Sequence, residues 1–392
     1  MNDVFILSAK RSPIGRFGGA FRSLSPAEIA APVFRSALDK SSVPDPLPDL
    51  ILMGHVLGGG HGQLVPRQAA KLAGIPHSVD AVGIDMVCSS GMMSLIAGAA
   101  FIRSGASNLI LAGGVESMSD TRFALSGKAR WGYKYLPGQG EAVVDLLYRD
   151  GLSDPTSGEA MGVQAERLAQ MLSISRRELD AVAAESHSRA HRATLNGEFN
   201  AEITPIPTRK GSLEQDEGIR PGTTVETLTD LRPVFVQDGL LTAGNSSQIS
   251  DGAAALLLAS GKFVRDYGLR PIARIHGSAW AAGTWDRFIE VPAEAARRAI
   301  DVTGMRMEDM DLFENNEAFA LSTLLFVRDL GIDPGILNVN GGAIALGHPI
   351  GCSGARVVVT LLHALRTQEK SLGLAALCHG TGGGTAVVVE CL

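Results

Sequence analysis

Three reactive side chains in this 392-residue chain fall on turns crowded with glycine or small residues. Cys88 stands in Val-Cys-Ser-Ser-Gly, His348 in Leu-Gly-His-Pro-Ile-Gly, and Cys378 in Cys-His-Gly-Thr-Gly-Gly-Gly. Cys88 sits where a buried strand over 82–87 hands over to a small, apolar helix over 92–103. Unpaired N–H groups at a helix start favour negative charge, so the placement predicts a Cys88 thiol of lowered pKa and raised nucleophilicity. A rigid turn between Gly347 and Pro349 can aim the His348 imidazole. Cys378 closes a strand at a glycine run that includes Gly380, whose bare N–H groups can approach an oxyanion. Asn316, within Glu-Asn-Asn-Glu, could hold a water through its amide. Each residue also has a plainer reading: a structural thiol for Cys88, a satisfied turn histidine for His348, core packing for Cys378, a helix cap for Asn316. Taken together they suit one chemistry. A thiolate accepts an acyl group from a thioester, a second thiol moves a proton at carbon, and fixed donors stabilise enolate and tetrahedral oxyanions. That is Claisen condensation or its reverse.

The elements that must position these groups follow from pattern. Strands are expected over 3–9, 50–57, 108–112, 271–278, 374–377 and 385–391. Helices are expected over 66–73, 292–302 and 355–366, with another opening at Ser25, where Ser-Pro-Ala-Glu supplies an N-cap, a first-turn proline and an early acid. Alternating strands and helices predict a mostly parallel sheet covered on both faces. Cys88-Ser-Ser-Gly and Cys352-Ser-Gly open helices in the two halves, and 109–114 answers 374–384, so an internal duplication is inferred, with both cysteine turns near one axis. Residues 120–243 break this texture and read as an inserted lobe holding one amphipathic helical region over 157–195. The domain expectation is therefore 1–119 plus 244–269 for the first half, 120–243 for the lobe and 270–392 for the second half.

Composition bounds the function. The net charge of −6 gives no case for nucleic acid. By inspection no apolar run reaches the ~18 residues of a membrane span, so no membrane partner is expected. Four cysteines do not make a disulfide framework or a zinc set, so no metal is expected and a reducing cytoplasm is the simplest compartment. No Gly-x-x-x-x-Gly-Lys-Ser/Thr follows a strand, which argues against a P-loop.

Across its length the sequence resembles the thiolase family. The segments that carry the likeness are Cys88-Ser-Ser-Gly, Gly113-Gly-Val-Glu-Ser-Met-Ser, Thr242-Ala-Gly-Asn, Asn316-Glu-Ala-Phe-Ala, the run from Asn340 through His348 to Arg356, and Cys378-His-Gly-Thr-Gly. The resemblance implies an α/β fold of duplicated halves packed as an αβαβα layered core with an inserted loop and helix lobe. It implies that Cys88 carries the acyl group, that His348 activates it, and that Cys378 gives or takes the α-carbon proton. His348 and an Asn316-held water would form one oxyanion site, the N–H groups of Cys88 and Gly380 the other. Coenzyme A thioesters would be the substrates, with no covalently bound cofactor. CoA would lie against the lobe, with Arg220 near its nucleotide end and Ser247, Ala243, Met161, Ala318 and Phe319 near the pantetheine arm. A homodimer or homotetramer is implied, with 119–140, including Trp131, Tyr133 and Tyr135, as a candidate contact loop. Departures lie in the pocket walls: Ala160 before Met161-Gly162, Asp286-Arg-Phe-Ile-Glu, Asp238-Gly239-Leu240, and Thr381 where the family commonly has glycine. Two other readings stand beside it. One is a ketoacyl synthase on the same fold, against which Cys378 argues. The other is a non-catalytic acyl-CoA or lipid carrier, which predicts a lost catalytic residue.

Overall fold

The computed structural model describes residues 3–43, 47–132 and 142–392. Nine strands make its main sheet: β1 Val4–Arg11, β2 Leu50–Gly54, β3 Asp80–Ile84, β4 Leu109–Ser117, β5 Ser250–Ser260, β6 Ala273–Ala282, β7 Leu312–Asn315, β8 Leu372–His379 and β9 Gly383–Cys391. Their order is β7-β8-β9-β6-β1-β5-β4-β2-β3, with the short strand Gly15–Arg16 pairing to β5. Tyr133 and Tyr135 of the candidate contact loop lie outside the described residues.

The order carries the duplication. In the first half the sequence of neighbours is third, second, fourth, fifth, first strand. In the second half β7, β8, β9 and β6 repeat second, fourth, fifth, first. The missing third place is taken by Leu337, which makes a single parallel bridge to Phe313. The sheet is not mostly parallel, as the alternation of elements suggested. Only β7/β8, β2/β4 and β2/β3 run parallel. The fifth strand of each half runs back against the fourth: β9 returns from β8 through a tight turn, and β5 returns from β4 after the long excursion 118–249.

Among the helices are α1 Pro26–Asp39, α2 Val65–Leu72, α3 Ser90–Ser104, α4 Met161–Met171, α5 Arg176–Leu195, α6 Val291–Thr303, α7 Ala320–Leu330 and α8 Ile350–Thr367. Ser25 and Glu28 form the reciprocal cap that the sequence signalled for α1. The region 157–195 is two helices. Ser173 turns at φ 54°, and Ser175 then caps a new helix with Glu178. Against the composition reading, Val87–Ser104 is 18 residues of mean hydropathy 1.3, long and apolar enough to cross a membrane. Here it packs inside the protein: Met92, Leu95, Ala99 and Ile102 of α3 join Val358, Leu361 and Leu365 of α8 in one core with β4 and β5.

α3 and α8 are the equivalent helices of the two halves, and they cross at glycines. A Cβ on Gly91 would lie 2.8 Å from the Ala355 nitrogen, and one on Gly354 would lie 2.3 Å from the Met92 nitrogen. This close approach draws the two helix starts, and the Cys88 and His348 turns before them, to one place. Cys352 does not share it. Its side chain is fully buried in the α3/α8 core.

Candidate active site

Cys88, His348 and Cys378 line one cavity of about 370 Å³. Its wall also includes Met161, Ser247, Ala318, Phe319, Phe288, Gly380 and Thr381, and the segment Arg149–Ser153. Arg220 and Ala243 are exposed and lie outside this lining.

The Cys88 turn is held by its own small residues. Ser90 Oγ accepts from Met86 N at 2.8 Å and donates to Val87 O at 2.6 Å, while Asp85 accepts from Val87 N at 3.0 Å. Val87 is thereby fixed at φ 50°, a left-handed conformation that a β-branched residue rarely adopts. β3 ends at Ile84, three residues earlier than the pattern suggested, so that this elbow can form. The lowered thiol pKa expected from a helix start is overturned. α3 begins at Ser90, past the sulfur. Burial pushes the Cys88 thiol up to about 12, even though the N–H groups of Gly380 and of Cys88 itself donate to it, and Glu116 and Asp85 oppose the anion further. The resting nucleophile is a neutral thiol that needs a base.

His348 is that base in form. Ser353 Oγ donates its only proton to Pro349 O at 2.9 Å, so at 2.6 Å from His348 Nδ1 it accepts the imidazole N–H. This leaves Nε2 bare. Burial, with the Arg356 guanidinium nearby, lowers His348 to about 3, so the ring is neutral at physiological pH. The Asn316 amide lies 3.4 Å from His348 Nδ1, and its Oδ1 is buried with no partner. An orphaned acceptor beside the imidazole is where an ordered water would bond.

Cys378, the last residue but one of β8, packs with Phe288, Phe319, Ala318 and Ile344. Burial raises its pKa strongly, and Cys88 beside it raises it further. The turn beyond explains why glycine suits position 381: Thr381 sits at φ 69°, in the left-handed region. Gly382 follows at φ 79°, where a Cβ would stand 2.8 Å from the carbonyls of Gly283 and Thr284.

The thiolase N-terminal domain family matches residues 4–262, and the thiolase C-terminal domain family matches 269–391. The chain belongs to the thiolase family. An acetyl-CoA acetyltransferase of Synechocystis is 58% identical over 100% of both chains. One of Escherichia coli is 42% identical over 100% of this chain and 99% of its own. The crystal structure of the Bacillus anthracis acetyl-CoA acetyltransferase superposes with a TM-score of 0.96 at 39% identity, covering 100% of this chain and 99% of that one. A thiolase of Ascaris suum in complex with coenzyme A gives 0.93 at 39% identity over 100% of each.

In this thiolase two positioning groups escaped the motif reading. Ser353 fixes the His348 tautomer from the next turn of chain. Glu116, fully buried, ties three segments together. Its carboxylate accepts from Val56 N at 3.1 Å, Leu57 N at 3.2 Å and Gly351 N at 3.0 Å, with His55 Nε2 at 3.3 Å. Gly351 opens α8 just after His348, so Glu116 pins the base-bearing turn and satisfies an orphan helix donor. Burial raises Glu116 to about 8 while the three N–H groups pull it down. Glu116→Ala strands those donors, each worth ~1–3 kcal/mol when buried and unpaired. The expected outcome is a loss of about 3 kcal/mol in urea unfolding, and a fall in kcat with little change in KM.

Proposed function

We propose that this thiolase joins two acetyl-CoA molecules to acetoacetyl-CoA and CoA or, in reverse, cleaves a 3-ketoacyl-CoA with CoA to acyl-CoA and acetyl-CoA. The observation that carries this reading is the meeting of two thiols and a neutral imidazole around one largely apolar cavity. His348 Nε2 takes the Cys88 proton, and the sulfur attacks the 3-keto carbon. The C2–C3 bond then breaks, and Cys378 protonates C2 to release acetyl-CoA. His348 passes its proton to the Cys378 thiolate and takes that of the incoming CoA, whose sulfur attacks the Cys88 thioester; the released Cys88 thiolate then recovers a proton from His348. Oxyanion charge falls to the N–H groups of Cys88 and Gly380 at one stage, and to His348 with an Asn316-bound water at the other. No residue of this set is missing, which weighs against a non-catalytic carrier. The second thiol weighs against a ketoacyl synthase.

Met161 of the lobe 120–243 and Ser247 just beyond it stand in the cavity wall, and the face of the lobe that carries Met161 is the proposed CoA surface. Arg220, exposed at its outer side, would serve the nucleotide end. Phe288 comes from the atypical segment 286–290 and meets Phe319 edge-to-face at 6.5 Å, and Phe235 also meets Phe319 edge-to-face at 5.9 Å. Phe288 and Phe319 both stand in the cavity wall, and their bulk would favour a short acyl chain, in keeping with the names of the relatives. The test is kcat/KM across 3-ketoacyl-CoA lengths. The value is expected to be highest at four carbons and to fall with length, and Phe288→Ala should raise it for a longer chain by roughly 10-fold, the worth of one or two methylenes. A flat profile, unmoved by the substitution, would refute the assignment of Phe288.

A homo-oligomer is part of the proposal. Among the described residues β3 is an unpaired edge of the main sheet, with Val82 43% exposed, and Trp131 is 79% exposed on the segment that follows β4. Light scattering at micromolar concentration should give at least the dimer mass. A reducing compartment suits the free thiols of the site, and cytoplasm is proposed on that ground.

A further inference from the structure

Away from the catalytic cavity, the loop 16–23 faces the small hairpin of Ile206–Thr208 and Gly211–Leu213 across a cleft of about 320 Å³. The two clefts share no lining residue. Arg16 and Arg22 stand on one wall, Arg209 and Lys210 on the other. Among the described residues none of these four cationic heads pairs with a carboxylate, whereas the exposed Arg35 and Arg167 and the half-buried Arg274 each do. The chain has 41 acidic residues against 35 basic ones, so unpaired cations facing one another are not forced by composition. One carboxylate lies at the cleft. Glu217 Oε2 accepts from Arg16 N and from Ala20 N, both at 3.1 Å, so its charge is engaged by backbone and shapes the loop.

We propose that this cleft is a second binding site, taking a small anion that carries two linked phosphate groups. Four positive charges around a single carboxylate leave a local excess that a monoanion does not neutralise. Guanidinium forks on opposite walls can each clasp phosphate oxygens two at a time, and Lys210 adds a point charge. The volume lies at the lower end of ligand pockets, about 300–1,000 Å³, which suits a diphosphate with a sugar rather than a polymer. The chain's net charge of −6 also disfavours a nucleic-acid strand.

The probe is inorganic pyrophosphate, titrated calorimetrically into the full-length protein. A saturable site is expected, weakening as salt is raised. The double variant R209Q/K210Q, on an exposed turn outside the lining of the catalytic cavity, should bind at least roughly tenfold more weakly, because two of four charge-assisted contacts are removed. Its melting temperature and thiolysis rate should stay at the parent values. R220Q should leave pyrophosphate binding unchanged, because Arg220 belongs to the proposed CoA surface. ADP should compete with pyrophosphate. Tighter binding of ADP would mark a nucleotide as the ligand, and equal binding would mark the diphosphate alone. Absence of a saturable isotherm, or binding lost in R220Q but kept in R209Q/K210Q, would overturn the proposal. The second outcome would assign the phosphates to the thioester groove.

Discussion

Cys88→Ala is expected to abolish thiolysis of acetoacetyl-CoA, lowering kcat by at least about 10³-fold, since an acyl-enzyme route loses its acceptor atom. Folding should survive. The residue is half-buried, and its turn is held by Ser90 and Asp85 and not by the sulfur. The same variant should lose the covalent signature. Parent protein mixed with acetyl-CoA gains one acetyl group on the peptide containing Cys88, and the alanine form gains none. Thiolysis persisting near the parental rate would mean that another group accepts the acyl chain. Cys352 is no substitute, being fully buried in the core between α3 and α8.

The chemistry of the site was legible because it rests on turns. Cys88, His348, Cys378 and Asn316 stand on motifs whose residues are adjacent in sequence; the crossing of α3 and α8 at Gly91 and Gly354 joins the first two turns, Cys378 completes the cavity, and Asn316 lies beside His348 outside its lining. The reciprocal cap of α1 and the breaks around glycine were readable for the same reason: their partners are three residues away or fewer. What depends on burial was not. The Cys88 pKa moves opposite to the local expectation because desolvation outweighs two N–H donors, and desolvation belongs to the packed state. Glu116 reaches segments 59–60 and 235 residues away in sequence, so only its place in Gly-Gly-Val-Glu-Ser-Met-Ser could have flagged it. Strand direction failed similarly. Alternation of strand and helix fits a parallel sheet, but each half closes with a fifth strand that reverses, and in the first half the inserted lobe hides that reversal. Val87–Ser104 shows the same limit, since hydropathy cannot distinguish a core helix from a span.

Cys378→Ser should separate the two halves of the reaction. The step this residue is assigned is proton transfer at carbon, and a serine hydroxyl is far too weak an acid to perform it, while its size hardly disturbs the packing against Phe288 and Phe319. General acid–base catalysis of this kind contributes roughly 10²–10⁴-fold, so condensation and thiolysis should fall by about that factor. Transfer of an acetyl group between CoA and Cys88 makes no carbon–carbon bond. His348 takes the Cys88 proton and returns it to the departing CoA sulfur, so exchange of labelled CoA into acetyl-CoA should remain within about tenfold of the parent. His348→Asn should give the contrary pattern, depressing exchange and thiolysis together, because the bare Nε2 that Ser353 secures is needed each time Cys88 is activated. If Cys378→Ser instead depresses exchange as severely as thiolysis, the second thiol is not a dedicated carbon acid–base. The two sulfurs would then act as one unit, and the division of labour drawn from their separate turns would fail.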